Sequence, residues 1–390
     1  MTIFYISPSV MPSRSANSIH VARMCDAFSS MGHKVTLFLS RSIRKKTGLR
    51  ALIESYYGVH LENVELVSFF SRVPYAVNVR IALLSVPGCL RRMRIGYPPD
   101  VIISRNLYAG YFLSRRLPAP LIFETHQLEY GLRKRMQRVT IQAPGVTTVV
   151  ISEALLRYLE EHHRSNFNGI RVLYDAAPAG IRLMSRSERL AAREESMCNI
   201  PVDPHAFVAG YFGSLHEGRG IELLQELSER HPDVTFLIYG GDETQIRALK
   251  RKEGPANMMI MGYIEPSKVL DIAGLMDVLL MPYQKMVWIS RMRRGETSRW
   301  MSPMKMFEYM AAGVPIIASR LPVLQEVLQE GYNCLMAEAD DVVEWSQCLE
   351  RLLYEDELRE TLATNAHQQY LRGWDWPTRA GRLIDGLSLS

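Results

Sequence analysis

The sequence has few cysteines and no long apolar run. Its five cysteines are odd in number, scattered, and form no Cys-x-x-Cys pair, so they suggest neither a disulfide framework nor a zinc site. The best candidate for a membrane span, residues 76–90, is broken by Arg80, Pro87 and Gly88 and falls short of the ~20 apolar residues required. Residues 1–10 lack the features of a signal peptide. We therefore expect a cytoplasmic protein.

Two common nucleotide-binding signatures are also missing. Residues 213–220 nearly spell a P-loop, but Arg219 and Gly220 stand where that loop needs Lys followed by Ser or Thr. No Gly-x-Gly-x-x-Gly fingerprint follows a predicted strand, which weighs against a nicotinamide or flavin enzyme. What remains is a glycine-rich strand-to-helix turn with a cation. Such a turn is either a cradle for a diphosphate or a tight turn with a surface arginine.

Charge is distributed unevenly along the chain. The formal charge is +5, but residues 1–195 carry 27 basic and 14 acidic side chains, whereas residues 196–390 carry 19 and 27. The basic residues cluster at 41–50, 91–94 and 133–138. Such clusters suit nucleic acid, anionic lipid or a phosphorylated substrate, and they are equally typical of a solvated face. Because aromatic residues are not interleaved at a stacking spacing, we expect no nucleic-acid partner.

Length and hydrophobic pattern together predict the fold class. At roughly 150 residues per domain, 390 residues indicate two domains. Short continuous apolar runs alternate with helical patterns in two successive blocks, and such runs are typical of strands buried on both faces of a parallel sheet. The sequence therefore predicts an α/β protein with two doubly wound Rossmann-like domains, whose ligand lies at the carboxyl ends of the strands.

Domain boundaries follow from the same pattern. An N-terminal Rossmann-like domain is predicted over residues 1–178 and a C-terminal Rossmann-like domain over residues 205–372. The polar, arginine-rich residues 179–204 form the predicted linker. Residues 373–390 are expected to form a helix that returns to the N-terminal domain.

Residues 302–319 have the best-defined helix ends in the sequence. Ser302 is the predicted N-cap, Pro303 occupies the first helical position, and Gly313 follows the last turn. Asn17 or Ser18 is expected to cap the first helix of the chain in the same way.

The start of the helix in residues 302–319 is a predicted anion site. Backbone N–H groups near Met304 and Lys305, the helix dipole and the lysine charge together suit a diphosphate. Glu308 lies three residues beyond Lys305 on the same face, where one carboxylate can accept hydrogen bonds from two vicinal ribose hydroxyls. The alternative is a surface Lys–Glu pair on an ordinary helix.

These residues resemble the retaining glycosyltransferases of family 4, which have the GT-B fold of two Rossmann-like domains facing each other across a cleft. In the second domain the resemblance covers residues 211–215, 219–220, 237–241, 261–264, 277–283 and 302–319. In the first domain it is looser and covers the loop after the first strand and residues 32–35, 123–126 and 149–152.

The resemblance implies that the N-terminal domain, residues 1–178, binds the acceptor and that the C-terminal domain, residues 205–372, binds the nucleotide sugar. It also implies a role for each matching residue. His126, at a strand end, would meet the transferred sugar or the acceptor and is the candidate catalytic residue. Arg219 and Lys305 would bind the donor diphosphate and Glu308 the ribose. The full set expected to contact the donor nucleotide sugar is Gly213, Ser214, Arg219, Tyr263, Ile264, Ser302, Met304, Lys305 and Glu308.

The chain departs from the family pattern at two places. Many members carry two glutamates separated by seven residues, and Trp300 replaces the first of them here. Glu296, or the amides around Ser302, are the candidates for its sugar contacts. The loop after the first strand lacks the frequent Gly-Gly pair, so Ser15 and Asn17 are the candidate contacts to the acceptor phosphate or sugar.

No metal or other cofactor is expected. Metal-dependent sugar transferases usually hold a divalent ion with Asp-x-Asp, and no two aspartates of this chain are two positions apart. Leaving-group charge would then be stabilised by Arg219, Lys305 and the helix N-terminus. Retention in the family is usually explained by front-side displacement, so no nucleophile is assigned.

The sequence thus predicts a metal-independent, retaining glycosyltransferase that moves a sugar from a nucleoside diphosphate onto a saccharide acceptor. Further expectations are a lipid-linked acceptor, a role in O-antigen, capsule or exopolysaccharide synthesis, and a peripheral position on the anionic inner face of the membrane. Arginines and apolar residues that lie together in residues 73–93 motivate the last of these. The alternatives are a nucleotide-sugar epimerase of the same fold and a non-catalytic GT-B partner subunit.

Overall fold

The chain divides into two compact units. The computed structural model describes residues 1–41, 47–70, 77–116, 120–167, 169–195, 202–250, 254–287 and 297–386. Unit 1 comprises Met1–Asp175 and the C-terminal segment from Trp376, and unit 2 comprises Ala176–Asp375. Glu296 lies outside the described residues.

Unit 1 is built on a parallel sheet, in the order β3-β2-β1-β4-β5-β6-β7 over its described residues. The strands are β1 (Thr2–Met11), β2 (Lys34–Arg41), β3 (Val64–Phe70), β4 (Val101–Ser104), β5 (Leu121–Thr125), β6 (Val146–Val150) and β7 (Arg171–Val172). The helices are α1 (Ala16–Ser30), α2 (Leu49–Tyr57), α3 (Val77–Arg94), α4 (Leu107–Leu113), α5 (Leu132–Ile141) and α6 (Glu153–His163). The strand order reverses between β1 and β4, the position at which doubly wound sheets bind ligands.

Unit 2 repeats this architecture with the strand order β10-β9-β8-β11-β12-β13. Its strands are β8 (Phe207–Phe212), β9 (Val234–Tyr239), β10 (Met258–Gly262), β11 (Val278–Met281), β12 (Ile316–Ser319) and β13 (Leu335–Ala337). Its helices are α7 (Arg186–Glu195), α8 (Ile221–Arg230), α9 (Glu243–Lys250), α10 (Val269–Ala273, after a short 3₁₀ turn at Pro266–Lys268), α11 (Met304–Ala312), α12 (Val342–Tyr354) and α13 (Asp356–Leu371). The order reverses between β8 and β11. The prediction of two doubly wound α/β sheets is confirmed.

The last helix, α14 (Trp376–Ile384), belongs to unit 1 and packs against α1. Arg379 of α14 donates from Nε to the backbone oxygen of Tyr174 at 2.7 Å. None of the described helices is both long enough and apolar enough to cross a membrane.

Several elements differ from the sequence expectations. Residues 49–70 form α2 and β3, which the apolar pattern did not reveal because β3 is an edge strand with mostly half-buried side chains. The stretch interpreted as a linker contains α7, which is held to unit 2 by buried Arg193, whose Nη2 lies 2.7 Å from Asp277 Oδ2.

Both predicted N-caps are wrong. Helix α1 begins at Ala16, and Ser15 occupies the N-cap position without a side-chain cap hydrogen bond. Ser18 already lies inside the helix, where its hydroxyl is within hydrogen-bond distance of the carbonyl oxygens of Ser13 and Ser15. Helix α11 begins at Met304, and extended Pro303, rather than Ser302, occupies the N-cap position.

Candidate functional site

In unit 2 two cations converge on aromatic rings at the carboxyl edge of the sheet. The Nζ atom of Lys305 lies 4.2 Å from the ring centroid of Tyr211 and 4.8 Å from that of Tyr283. The guanidinium carbon of Arg219 lies 5.1 Å from the Tyr283 centroid. We call this arrangement of Arg219, Lys305, Tyr211 and Tyr283 the cation cradle. Such contacts between cations and ring faces are attractive, but they give neither cation a counterion.

The ends of strands and two glycines of the turn after β8 position the residues of the cation cradle. Tyr211 lies at the end of β8, and its hydroxyl donates to the backbone oxygen of Ser214 at 2.8 Å. The next residue but one, Gly213, must be small, because a Cβ there would lie 2.7 Å from Lys305 Nζ. Gly220 has a φ of +76°, and a Cβ at that position would overlap the carbonyl oxygen of Pro282. The glycine-rich turn can therefore lie directly against the chain that follows β11.

Burial makes the lysine of the cradle electrostatically unusual. The Nζ atom of Lys305 and the Nε atom of Arg219 are both buried, and neither has a hydrogen-bond partner among the described residues. Loss of solvation, reinforced by the charge of Arg219, holds the pKa of Lys305 well below its usual value, and Glu308 opposes this shift to a smaller extent. A buried polar group without a partner is costly. The charge and the burial of these nitrogen atoms suit the binding of an anion.

The structure also locates the other predicted donor residues. Tyr263 and Ile264 directly follow β10, and both are half-buried. Ser302 is buried, and Glu308 lies half-buried on α11, one turn beyond Lys305. Buried Trp300 fills the position of the missing glutamate with an apolar ring.

Sequence reasoning missed the tyrosines that build this edge. Besides the two rings of the cradle, Tyr309 of α11 accepts a hydrogen bond at its hydroxyl from the N–H of Phe212, at 2.9 Å. That bond ties the helix carrying Lys305 to the end of β8. The signal was present in the sequence, because Tyr211 and Tyr283 both stand within or directly after the apolar runs that formed the resemblance.

Unit 1 contains a cavity of about 140 Å³ at the carboxyl edge of its own sheet. Its lining includes Asn17, Arg105, His126, Gln127 and Glu129, which follow β1, β4 and β5. The lining is therefore polar.

The structure brings Asn17 and His126 together but leaves Ser15 out. The Nδ2 atom of Asn17 lies 3.2 Å from Nε2 of His126. Ser15 is exposed and is not among the lining residues. Arg105, Gln127 and Glu129 were missed by the sequence reasoning, although Arg105 directly follows a predicted strand.

A buried ion network lies beneath this cavity. Glu124, which is fully buried, accepts from Arg105 Nη1 at 2.7 Å and from Arg379 Nη2 at 2.5 Å. His20 Nε2 lies 3.3 Å from the same carboxylate, and its Nδ1 lies 2.7 Å from Asp175 Oδ1. Burial alone would raise the pKa of Glu124, but the two arginines hold it well below the usual value.

His126 is kept neutral by its surroundings. Burial, and then the nearby charge of Arg105, lower its pKa to about 3. At any pH where most proteins work, this imidazole therefore carries one ring hydrogen and no charge.

Comparison with known protein families assigns both units. Residues 18–176 match the family described as Glycosyltransferase Family 4, and residues 206–355 match the one described as Glycosyl transferases group 1. The chain belongs to the family 4 glycosyltransferases. Their GT-B fold is also that of the solved structures it resembles. One is HepE of Anabaena in complex with UDP (TM-score 0.71, 15% identity, 100% of both chains covered). Another is sucrose-phosphate synthase of Thermosynechococcus elongatus (TM-score 0.74, 15% identity, 98% of this chain and 97% of that one).

Curated relatives of this glycosyltransferase match over shorter stretches. A D-inositol 3-phosphate glycosyltransferase of Corynebacterium urealyticum is 24% identical over 251 residues, which are 61% of this chain and 55% of the relative. TuaH of Bacillus subtilis, named for teichuronic acid biosynthesis, is 26% identical over 150 residues, which are 37% of this chain and 34% of the relative. The chain thus spans about a third to a half of the length of these relatives.

Proposed function

We propose that the protein transfers a sugar from a nucleoside diphosphate donor to a saccharide acceptor. The observation that carries this proposal is the cation cradle, in which the buried atoms Lys305 Nζ and Arg219 Nε lie beside the Tyr283 ring with no hydrogen-bond partner among the described residues. A desolvated amine beside a guanidinium favours a ligand with several negative charges, and a diphosphate has that chemistry. Membership of the glycosyltransferase family supports the same class of donor.

Transfer in this proposal needs no metal ion. The departing diphosphate is stabilised by the two cations and by backbone N–H groups in the first turn of α11. The lack of an Asp-x-Asp sequence supports this view. Retention of the anomeric configuration is expected from front-side displacement, so no side chain is assigned as nucleophile.

The saccharide acceptor is proposed to bind in the cavity of unit 1. Side chains that form hydrogen bonds with hydroxyl groups line it, among them Asn17, Gln127 and His126. The buried charges beneath it are paired with one another, so the cavity suits a neutral, hydroxyl-rich ligand. His126 remains the candidate catalytic residue, as a neutral hydrogen-bonding group.

Relatives suggest the first molecules to test. HepE structures hold UDP, UDP with glucose, or UDP-glucose, so UDP is the first nucleotide. The names of TuaH and of the inositol phosphate glycosyltransferase support an acceptor that belongs to polysaccharide or glycoconjugate synthesis.

A membrane-bound acceptor is supported by one face of α3. Counted from exposed Arg80, the exposed residues Leu83, Leu84, Arg91 and Arg94 lie three, four, eleven and fourteen positions further along α3, so all five lie along one side of the helix. We call this stripe the basic apolar face. Apolar side chains flanked by arginines are typical of helices that lie in an anionic membrane surface. A cytoplasmic protein that docks on the inner face of the membrane would use this face.

Two residues of that segment do not contribute to such docking. Ile81 is buried in the core of unit 1, and Arg92 is bonded to Glu65, with Nη2 lying 2.5 Å from Oε1. The side chain of Val77 lies outside the described residues.

Binding and turnover test the proposal. Wild-type protein is screened by thermal shift with UDP, GDP, ADP and dTDP and with the matching monophosphates. We expect one diphosphate to stabilise it by about 2.7 kcal/mol at 100 times its Kd, and the monophosphate to do much less. Transfer from the corresponding sugar donor should persist in excess EDTA, with the product's anomeric configuration unchanged. Absence of binding by every diphosphate would contradict the proposal, and an altered nucleotide sugar in place of a glycoside would identify an epimerase.

A further inference from the structure

The hydrogen-bond pattern around Asn17 fixes the orientation of its side-chain amide. Nη2 of Arg105 lies 2.9 Å from Oδ1 of Asn17. A guanidinium can only donate hydrogen bonds, so the atom that faces it must be the amide oxygen. The amide nitrogen of Asn17 must then face His126.

This orientation decides which nitrogen of His126 carries the hydrogen. The amide nitrogen of Asn17 lies 3.2 Å from Nε2 of His126. Since an amide NH₂ group only donates, Nε2 must offer its lone pair, and in a neutral ring the hydrogen is then on Nδ1. Protonation of Nε2 would bring two donors face to face, so this geometry disfavours the imidazolium as well.

Arg105 cannot easily turn away from this arrangement. It is buried, and its Nη1 donates to Glu124, which Arg379 of α14 also holds. Reorienting Arg105 would leave Glu124 with one hydrogen-bonded cation fewer in a place without solvent, which is costly.

We infer that Asn17 and Arg105 are positioning residues that lock His126 as the neutral tautomer with its hydrogen on Nδ1 and its Nε2 lone pair engaged. His126 then has one unused hydrogen-bonding group, the Nδ1–H, whose nitrogen is buried without a partner in the described residues. It cannot act as a base through Nε2 or supply a proton as imidazolium.

Charges on four structural elements bear on this histidine. They are Arg105 after β4, Glu124 on β5, His20 on α1 and Asp175 after β7. Glu124 and Asp175 favour the imidazolium, whereas Arg105 and His20 disfavour it, and burial adds to the second group. The depressed pKa of about 3 is in keeping with the hydrogen-bond geometry.

Histidine ring nitrogens can be observed directly. Protein labelled with ¹⁵N-histidine is studied by long-range ¹H–¹⁵N correlation, and the His126→Gln variant assigns the signals. We expect a protonated Nδ1 and an unprotonated Nε2 at pH 7.5, with no change down to pH 5.5. A hydrogen on Nε2, or a titration midpoint near the ordinary ~6.5, would overturn the inference.

Two variants separate positioning from simple structural support. Asn17→Asp replaces the donor with a carboxylate that accepts, so Nε2 should gain a hydrogen and the titration midpoint should rise by more than one pH unit. Arg105→Gln should also raise the midpoint, because it removes a nearby positive charge. Arg92→Gln, in an exposed ion pair with Glu65, is the control and should change nothing.

Each outcome bears on the inference even if a variant does not fold. If a variant does not fold, the wild-type spectrum alone decides. If Asn17→Asp does fold, an unchanged His126 signal would contradict the inference. The spectra need no substrate. A chain that fails as a glycosyltransferase can therefore still show the locked tautomer, and an active one can lack it.

Discussion

Both units bury cationic nitrogen atoms at the carboxyl edge of a parallel sheet, but among the described residues only the atoms of unit 1 are paired with a buried carboxylate. In unit 1, Arg105 and Arg379 converge on the buried carboxylate of Glu124. In the described part of unit 2, the buried nitrogens Lys305 Nζ and Arg219 Nε have no hydrogen-bond partner and lie beside aromatic rings.

Because of this difference, we expect the two units to bind different kinds of ligand. A set of buried charges that is already neutralised gains little from a charged ligand, whereas unpaired buried cations gain a great deal from an anion. Unit 2 is therefore suited to the diphosphate of a donor, and unit 1 to the neutral hydroxyl groups of an acceptor. Removing one charged group in each unit should have effects of opposite sign on the stability of the unliganded protein.

The largest effect is expected in unit 1, from Glu124→Ala. This change leaves Arg105 and Arg379 buried without their carboxylate, and breaking a buried ion pair in this way costs about 3–5 kcal/mol. The unfolding transition of unit 1 in urea, followed by hydrogen exchange of its strands, measures the loss. Glu65→Ala, which removes the ion-pair partner of half-buried Arg92 and a long hydrogen bond from the Thr36 hydroxyl, is the matched control and should cost less than about 1 kcal/mol. If both variants lose a similarly small free energy of unfolding, the Glu124 carboxylate does not neutralise the two buried arginines.

The pH dependence of the same variant provides a second check. Because the pKa of Glu124 is lowered in the folded protein, its stabilisation is complete above the ordinary pKa of about 4.3 and is lost as pH falls through the folded value. Wild type should therefore lose stability on acidification more steeply than Glu124→Ala does.

In unit 2 the informative change is Lys305→Met. Methionine keeps the length of the side chain and removes an amine that is desolvated beside two tyrosine rings, so the unliganded protein should be as stable as wild type or more so. Diphosphate affinity should fall about 10- to 100-fold, since a charge-assisted hydrogen bond contributes roughly 1.5–3 kcal/mol. Calorimetric titration with the nucleoside diphosphate measures this loss. The control is Lys285→Met, whose exposed amine is bonded to Asp340.

Proton exchange sharpens this test. The pKa of Lys305 is held below its ordinary value in the free protein, and a bound diphosphate favours the ammonium form. Binding should take up as much as one proton, seen as a dependence of the binding enthalpy on the ionisation enthalpy of the buffer, and affinity should fall as pH rises. An equal proton uptake in Lys305→Met would exclude this lysine as its source.

The fold could be predicted where burial is complete and not where it is partial. Strands such as β4 and β11 are fully buried and appear in the sequence as continuous apolar runs. Edge strand β3 mixes half-buried and exposed positions, and β13 has only three residues, so neither produced a recognisable run. The start of α11 was placed one residue too early, because Ser302 looks like a cap while extended Pro303 takes that position, whereas Gly313 ends the helix as predicted.

The site could be predicted only where its residues are close in sequence or belong to a known pattern. Arg219 and Lys305 came from such a pattern. The ion pair between Glu124 and Arg379 could not be predicted, because 255 positions separate the two residues and only the return of α14 to unit 1 brings them together. Arg105 could not be predicted as a site residue either, because its role depends on its contacts with the Glu124 carboxylate and the Asn17 amide, which are distant in sequence.

The smallest expected effect concerns the outer surfaces of the two units. Each arginine near an anionic membrane contributes about 1 kcal/mol, so Arg91→Ser with Arg94→Ser should weaken binding of the basic apolar face to phosphatidylglycerol vesicles roughly 30-fold. Leu83→Ser, which removes an exposed apolar anchor, should weaken it further. Arg230→Ser with Arg247→Ser removes two exposed arginines from unit 2 and is the control.

Vesicle flotation decides whether the charge difference between the units has this consequence. Wild type should float with anionic vesicles and not with neutral phosphatidylcholine vesicles, and added salt should release it, since the Debye length falls to about 8 Å at 0.15 M. The double arginine variant of α3 should stay in the soluble fraction at salt concentrations where the unit 2 control still floats. If wild type stays soluble with anionic vesicles at low salt, α3 is not a docking helix. The basic excess of unit 1 would then serve solubility, and the acceptor would be a free saccharide rather than a lipid-linked one.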